Sequence, residues 1–295
     1  MKFSVQRNAF AAIPEEFSLY ETASIAVLPI PYDGTSTWMK GADRGPLALL
    51  DASAHLELYD IETDSEVFRH GIVTLDPVVC PDDPEEMVTA VSERATAVLE
   101  DGKFLVGIGG EHSVSVGLVR AMAKRYANLS VLQFDAHSDT RDVYEGSRYN
   151  HACVMSRIGE ISPYAQVGVR SMDSSELRNL KRNRTFFAHE ILKTSNLLNK
   201  ILEALTRDVY ITIDLDVFDS SIMPSTGTPE PGGLDWYGLI GIIESVVREK
   251  NVVGLDITEL LPNPGNRGPD FLAAKLVYRI LSMVFFACPP ACASL

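Results

Sequence analysis

The sequence predicts a single α/β domain in three layers, with a mostly parallel central sheet and helices on both faces. Three observations carry this expectation. Short β-branched, apolar runs alternate along the chain with stretches of helical period. The strand runs are apolar at consecutive positions, as in strands covered on both faces. Acids and histidines gather just after several of those runs, and ligands of open α/β sheets bind beyond the carboxyl ends of the strands. At 295 residues, 46% hydrophobic and 22% charged, the chain can bury one large core. No linker-like stretch divides it, so residues 1–295 are read as one domain.

The elements follow in order. Strand Ser24–Leu28 precedes helices Pro46–Leu58 and Glu85–Glu100. Strand Phe104–Ile108 leads through two glycines into helix Val114–Tyr126, and strand Ser130–Phe134 ends in an acidic, histidine-bearing segment. Strand Ala165–Val169 is followed by helix Ser174–Leu180, where Asp173 and Glu176 have capping-box spacing. Strand Thr185–Phe187, helix Leu197–Leu205 and strand Val209–Ile213 come next. Helix Trp236–Glu249, strand Val252–Ile257 and helix Phe271–Phe285 complete the pattern, with Asp235 and Asp270 placed as N-caps.

A formal net charge of −14 argues against nucleic acid, whose phosphates need a basic face, and suits a small cationic substrate. The segment Met1–Phe17 lacks the apolar core of a secretory signal, and no run approaches the ~20 apolar residues of a membrane helix. Cys80, Cys153, Cys288 and Cys292 form no disulfide framework, which fits a cytoplasmic protein. Cys288 and Cys292 lack the further ligands of a metal site.

Three strand ends carry the chemistry: Gly109-Gly110-Glu111-His112-Ser113, Phe134-Asp135-Ala136-His137-Ser138-Asp139 and Ile213-Asp214-Leu215-Asp216-Val217-Phe218-Asp219. In extended chain, residues i, i+2 and i+4 share a face. Asp135, His137 and Asp139 can therefore converge, as can Asp214 and Asp216, with His112 arriving from a third strand. Four clustered carboxylates repel one another unless cations balance them, and two divalent ions would do so. A set of carboxylates and imidazoles without thiolate favours Mn(II), with Fe, Co or Ni as alternatives. The stretch Gly107-Ile108-Gly109-Gly110 lacks the patterns of phosphate-binding loops; its glycines read instead as a tight turn that lets His112 approach.

These motifs, in this order, resemble those of the ureohydrolase (arginase/agmatinase) family, agmatinases most of all. The segments Pro31-Tyr32-Asp33-Gly34-Thr35-Ser36, Arg44-Gly45-Pro46, Met223–Gly233 and Leu255-Asp256-Ile257-Thr258-Glu259-Leu260 add to the resemblance, which runs to about Leu281. The tail Ser282–Leu295 is unrecognised. The resemblance implies the arginase fold, assembly as a homotrimer or homohexamer, and two Mn(II) ions. One ion would be held by His112, Asp135, Asp139 and Asp214, the other by Asp135, His137, Asp214 and Asp216, with Asp135 and Asp214 bridging. It further implies that a hydroxide bridging the ions attacks a guanidinium carbon. Asp139 would steady that hydroxide, Glu259 receive the guanidinium, and His151 move a proton to the leaving amine. Family members often carry glycine after this histidine; here Ala152 follows.

The substrate's tail would be read by Thr140–Asn150, with Asn150 a substrate contact beside Glu259 and His151. Asp142 and Glu145 suit an amine tail, so agmatine, giving putrescine and urea, is the expected substrate. Arg141 and Arg148 would instead suit guanidinobutyrate or arginine, and N1-aminopropylagmatine is a further alternative. A single-zinc deacetylase of related pattern would leave His112, Asp139 and Asp216 unexplained. A non-catalytic relative would not need the full set of ligands. His55, His70 and His189 match no motif and are read as structural.

Overall fold

Among the described residues, eight strands, all parallel, form one sheet in the order β2-β1-β3-β8-β7-β4-β5-β6. In this computed structural model, residues 9–286 are described, apart from Leu192 and Thr194. The strands are β1 (Ile25–Ile30), β2 (Ile72–Thr74), β3 (Phe104–Gly109), β4 (Leu129–Phe134), β5 (Tyr164–Val167), β6 (Thr185–Phe186), β7 (Asp208–Asp214) and β8 (Asn251–Thr258). The helices are α1 (Gly45–Ser53), α2 (Pro84–Glu100), α3 (Val114–Arg125), α4 (Val154–Gly159), α5 (Ala188–Ile191), α6 (Leu197–Ala204), α7 (Trp236–Glu249) and α8 (Gly268–Phe286).

Both faces of the sheet are apolar, which explains the unbroken hydrophobic runs. Ile25 and Val27 of β1, Leu132 and Phe134 of β4, and Ile211 and Ile213 of β7 pack into one core with α1, α6, α7 and α8. Ala26 and Leu28, Leu129 and Val131, and Tyr210 face the opposite core, with α2, α3 and α4. Three layers result, as expected. No helix among the described residues is long and apolar enough to cross a membrane.

Some elements depart from expectation. Edge strand β2 has three residues, too short to show a period. Helix α1 stops at Ser53, whose hydroxyl donates to the Leu50 carbonyl and accepts from the Ala11 N–H, and the chain turns away before Leu58. Asp173 and Glu176 do form a reciprocal capping box, but over a 3-10 turn at Ser174–Arg178 rather than an α-helix. Asp235 caps α7 by accepting from the Gly238 N–H at 2.7 Å. Asp270 is no cap: α8 starts earlier, at Gly268, and the buried Asp270 carboxylate takes the Arg267 guanidinium instead. Helix α8 runs through Ser282 to Phe286; Cys288 and Cys292 lie outside the described residues. His70 packs against the rings of Phe285 and Phe286, a structural setting.

Candidate metal centre

The four central neighbours β3, β8, β7 and β4 each end in a residue group of interest, although the chain visits them out of order. After β3 the chain turns tightly. The Gly110 N–H donates to Ile30 and the Glu111 N–H to Tyr32, and a Cβ on Gly110 would meet the Tyr32 carbonyl oxygen at 2.1 Å. That close approach requires the glycine and delivers His112 to the crevice. After β8, Glu259 adopts a left-handed φ of 66°; its N–H donates to the Gly110 carbonyl, and its Oε1 accepts from the His112 N–H at 2.7 Å. Asp139 is likewise left-handed, with φ 50°. Such backbone is costly for non-glycine residues and concentrates at functional sites.

The imidazole of His112 is buried, and its Nδ1 faces three carboxylate oxygens: Asp135 Oδ2 at 3.1 Å, Asp139 Oδ2 at 3.2 Å and Asp214 Oδ2 at 3.5 Å. His137 Nδ1 lies 2.8 Å from Asp216 Oδ2 and 3.6 Å from Asp135 Oδ1. Two donor clusters result, His112–Asp135–Asp139 and Asp135–His137–Asp216, and Asp135 gives one oxygen to each. Asp135 is braced by Gln133 Nε2 at 2.6 Å and by the His137 N–H at 2.5 Å. Asp214 Oδ1 accepts from the Asp216 N–H at 2.8 Å, and Asp216 Oδ1 from the Ala136 N–H at 3.0 Å. The six residues expected as ligands are thus brought together.

Their electrostatics are those of a cation site. Burial, reinforced by Asp216, Asp135 and Glu259, holds the Asp214 carboxyl well above the usual range. Burial and the Asp135 charge push Asp139 up to about 7. Burial and Glu111 raise Glu259 well above its ordinary value. Burial opposes charge on His112 and His137 too, but the neighbouring carboxylates outweigh it and hold both imidazoles well above the usual range. Crowded carboxylates of this kind are relieved by bound cations. His112 Nδ1 is buried without a hydrogen-bond partner among the described residues, although it faces three carboxylates. An orphaned nitrogen aimed into an all-oxygen cluster fits a divalent cation.

A crevice of about 180 Å³ opens on these groups, and His151 and Glu259 also line it. His151 is anchored by Thr35, whose Oγ1 accepts from the His151 N–H at 2.9 Å and lies 3.2 Å from Nδ1. Burial lowers its imidazole to about 4, and the charges of His137 and His112 act in the same direction, so it is neutral near neutral pH.

Other expected contacts are not brought to the crevice. Asn150 is buried and does not line it; its Oδ1 caps the following turn by accepting from the Ala152 N–H at 3.0 Å. Asp142 pairs with Arg157 and Arg148, and Arg148 also with Glu160 at 2.7 Å. Glu145 is exposed beside Gly146 in the Tyr144–Ser147 turn. The reading of the tail by these acids and by Arg148 is therefore corrected. From this loop, Arg141 and Tyr144 line the crevice, stacked with the guanidinium carbon 4.3 Å from the ring centre. Trp38 and its neighbours Ser36, Thr37 and Met39 also line it. Only folding brings Thr37, Trp38 and Met39 to the same crevice as the residues after β4 and β7, so no local spacing pointed to them.

The chain is similar to known proteins. The arginase family model matches residues 23–283. The N(1)-aminopropylagmatine ureohydrolase of Synechocystis sp. is 38% identical over 291 residues, covering 93% of this chain and 95% of the relative. That of Thermus thermophilus is 42% identical over 274 residues, covering 91% and 93%. The crystal structure of agmatine ureohydrolase of Thermoplasma volcanium superposes with a TM-score of 0.83 at 30% identity, covering 97% of this chain and 95% of that one.

Proposed function

The chain belongs to the arginase family and is a ureohydrolase, and we propose that it releases urea from a linear guanidine with a cationic amine tail. Agmatine, yielding putrescine, is one such substrate. N1-aminopropylagmatine is another, and the names of the relatives that are 38% and 42% identical favour it over agmatine. The observation that carries the release of urea is the double donor cluster sharing Asp135, with Glu259 and His151 on the same crevice, while the amine tail rests on the names of those relatives.

The residues fit a pair of Mn(II) ions. His112, Asp135, Asp139 and Asp214 would hold one, and Asp135, His137, Asp214 and Asp216 the other. Bound there, such ions supply positive charge that acidifies a water from ~15.7 toward ~7. The chain's own groups do the rest. Glu259, fixed by the His112 N–H, receives the guanidinium through charge-assisted hydrogen bonds and orients its carbon. Asp139 accepts a hydrogen bond from the attacking water. Urea forms only if the departing nitrogen is protonated; His151 is neutral and its Nδ1–H meets Thr35, whose own proton goes to Glu111, so Nε2 is free to take a proton from the attacking water and pass it to that nitrogen.

Urea release from Mn-loaded full-length protein, measured side by side on agmatine, N1-aminopropylagmatine, guanidinobutyrate and arginine, tests this. The two amine-tailed guanidines should show the highest kcat/KM, the aminopropylated one first. Preference for a carboxylate-tailed guanidine, or no urea from any, would overturn it.

A further inference from the structure

Beneath the metal centre lies a buried polar cluster that the proposed chemistry does not use. Asp256 of β8 points away from the core formed by its neighbours Leu255 and Ile257, toward α3, and is fully buried. Its partners are hydroxyls. Tyr210 donates to Oδ2 at 2.7 Å; Thr212 and Ser115 donate to Oδ1 at 2.8 Å and 2.9 Å. Thr212 Oγ1 lies also 2.9 Å from His112 Nε2.

A hydroxyl has one proton. With the Thr212 proton directed to the carboxylate, Thr212 can meet His112 only as an acceptor. The hydrogen-bond polarity then runs one way, from His112 Nε2–H to Thr212 to Asp256. Nε2 carries a proton, and the free lone pair falls on Nδ1, the atom facing Asp135, Asp139 and Asp214. We infer that Thr212 and Asp256 are a positioning pair that fixes the tautomer and ring orientation of His112 so that Nδ1 is presented as a ligand. Tyr210 and Ser115 fix the carboxylate in turn. Outer partners of this kind commonly change metal affinity by ~10–100-fold. The inference rests on the metal reading of the centre, not on the identity of the guanidine.

Mn(II) affinity of the full-length chain, from the electron paramagnetic resonance signal of free Mn(II), is the first readout. Thr212→Val, which keeps the shape and removes the acceptor, should weaken binding by about tenfold or more. Thr212→Ser should restore it, which a purely packing role for the threonine would not predict. The second readout uses zinc-loaded protein with 15N-labelled histidine, zinc being a diamagnetic probe. A His112 Nε2–H resonance protected from exchange should be present in the unmutated chain and in Thr212→Ser, and lost in Thr212→Val. A smaller loss of affinity in Thr212→Val, or a persisting protected resonance, overturns the inference. Failure of the unmutated chain to bind Mn(II) would instead sink the metal reading. Asp256→Asn checks the far end of the relay. Its amide can donate to Thr212 and reverse the polarity, so it should weaken binding as Thr212→Val does.

Discussion

Asp135 faces both histidines, with one oxygen for each, and with Asp214 it is one of two carboxylates proposed to hold both ions. Asp135→Asn should therefore abolish urea release and lower Mn content at both positions, read by elemental analysis; near-normal turnover would contradict the bridging role. His151 sits outside the clusters, so His151→Ala should keep full metal content while kcat falls ~100-fold. Metal loss in that variant would show that His151 does something other than move a proton. At this scale the convergence of the acids and histidines was legible because spacing along extended chain fixes which side chains share a face. Asn150 and Asp142 misled for the same reason in reverse. Their side chains are taken up by a turn and by Arg157, partners that sequence spacing does not reveal. Thr212 gave no signal, since it sits inside an apolar strand run, and Asp256 counted only as part of the Leu255–Leu260 segment, with no role attached.

Among the elements, α7 and α8 show how far local signals reach. Both apolar runs follow an aspartate, yet only Asp235 caps its helix. Asp235→Ala should cost about 1 kcal/mol in denaturant unfolding, whereas an unchanged midpoint would mean that water serves the first turn equally well. Asp270 misled because Gly268 and Pro269 already start the helix, and Pro at the first helical turn wastes no N–H. The loop after β7 depends on Arg170. Its guanidinium donates to the carbonyls of Gly168, Asp216, Val217, Phe218, Glu230 and Pro231. No motif marked Arg170, because all of these partners are backbone atoms.

For the whole molecule, the three layers were readable from the alternation of elements, but the strand order was not. Placing β8 between β3 and β7 depends on pairings such as Ile108 with Ile257 and Ile213 with Ile257, which join distant parts of the chain. The family resemblance leads us to expect three or six copies per assembly, and sedimentation velocity should show a mass three or six times that of the chain. Chelation should lower the melting temperature, because cations that bind only the folded chain contribute ~2.7 kcal/mol at a hundredfold excess over Kd. An unchanged melting temperature after verified metal removal would deny that coupling. The sheet's order has a temporal consequence as well. Glu259 directly follows β8, the last strand among the described residues, and β8 slots between partners made long before. A chain that stops short of residue 259 thus lacks the carboxylate proposed to hold the guanidinium, so capture of substrate would report that β8 has been made and inserted.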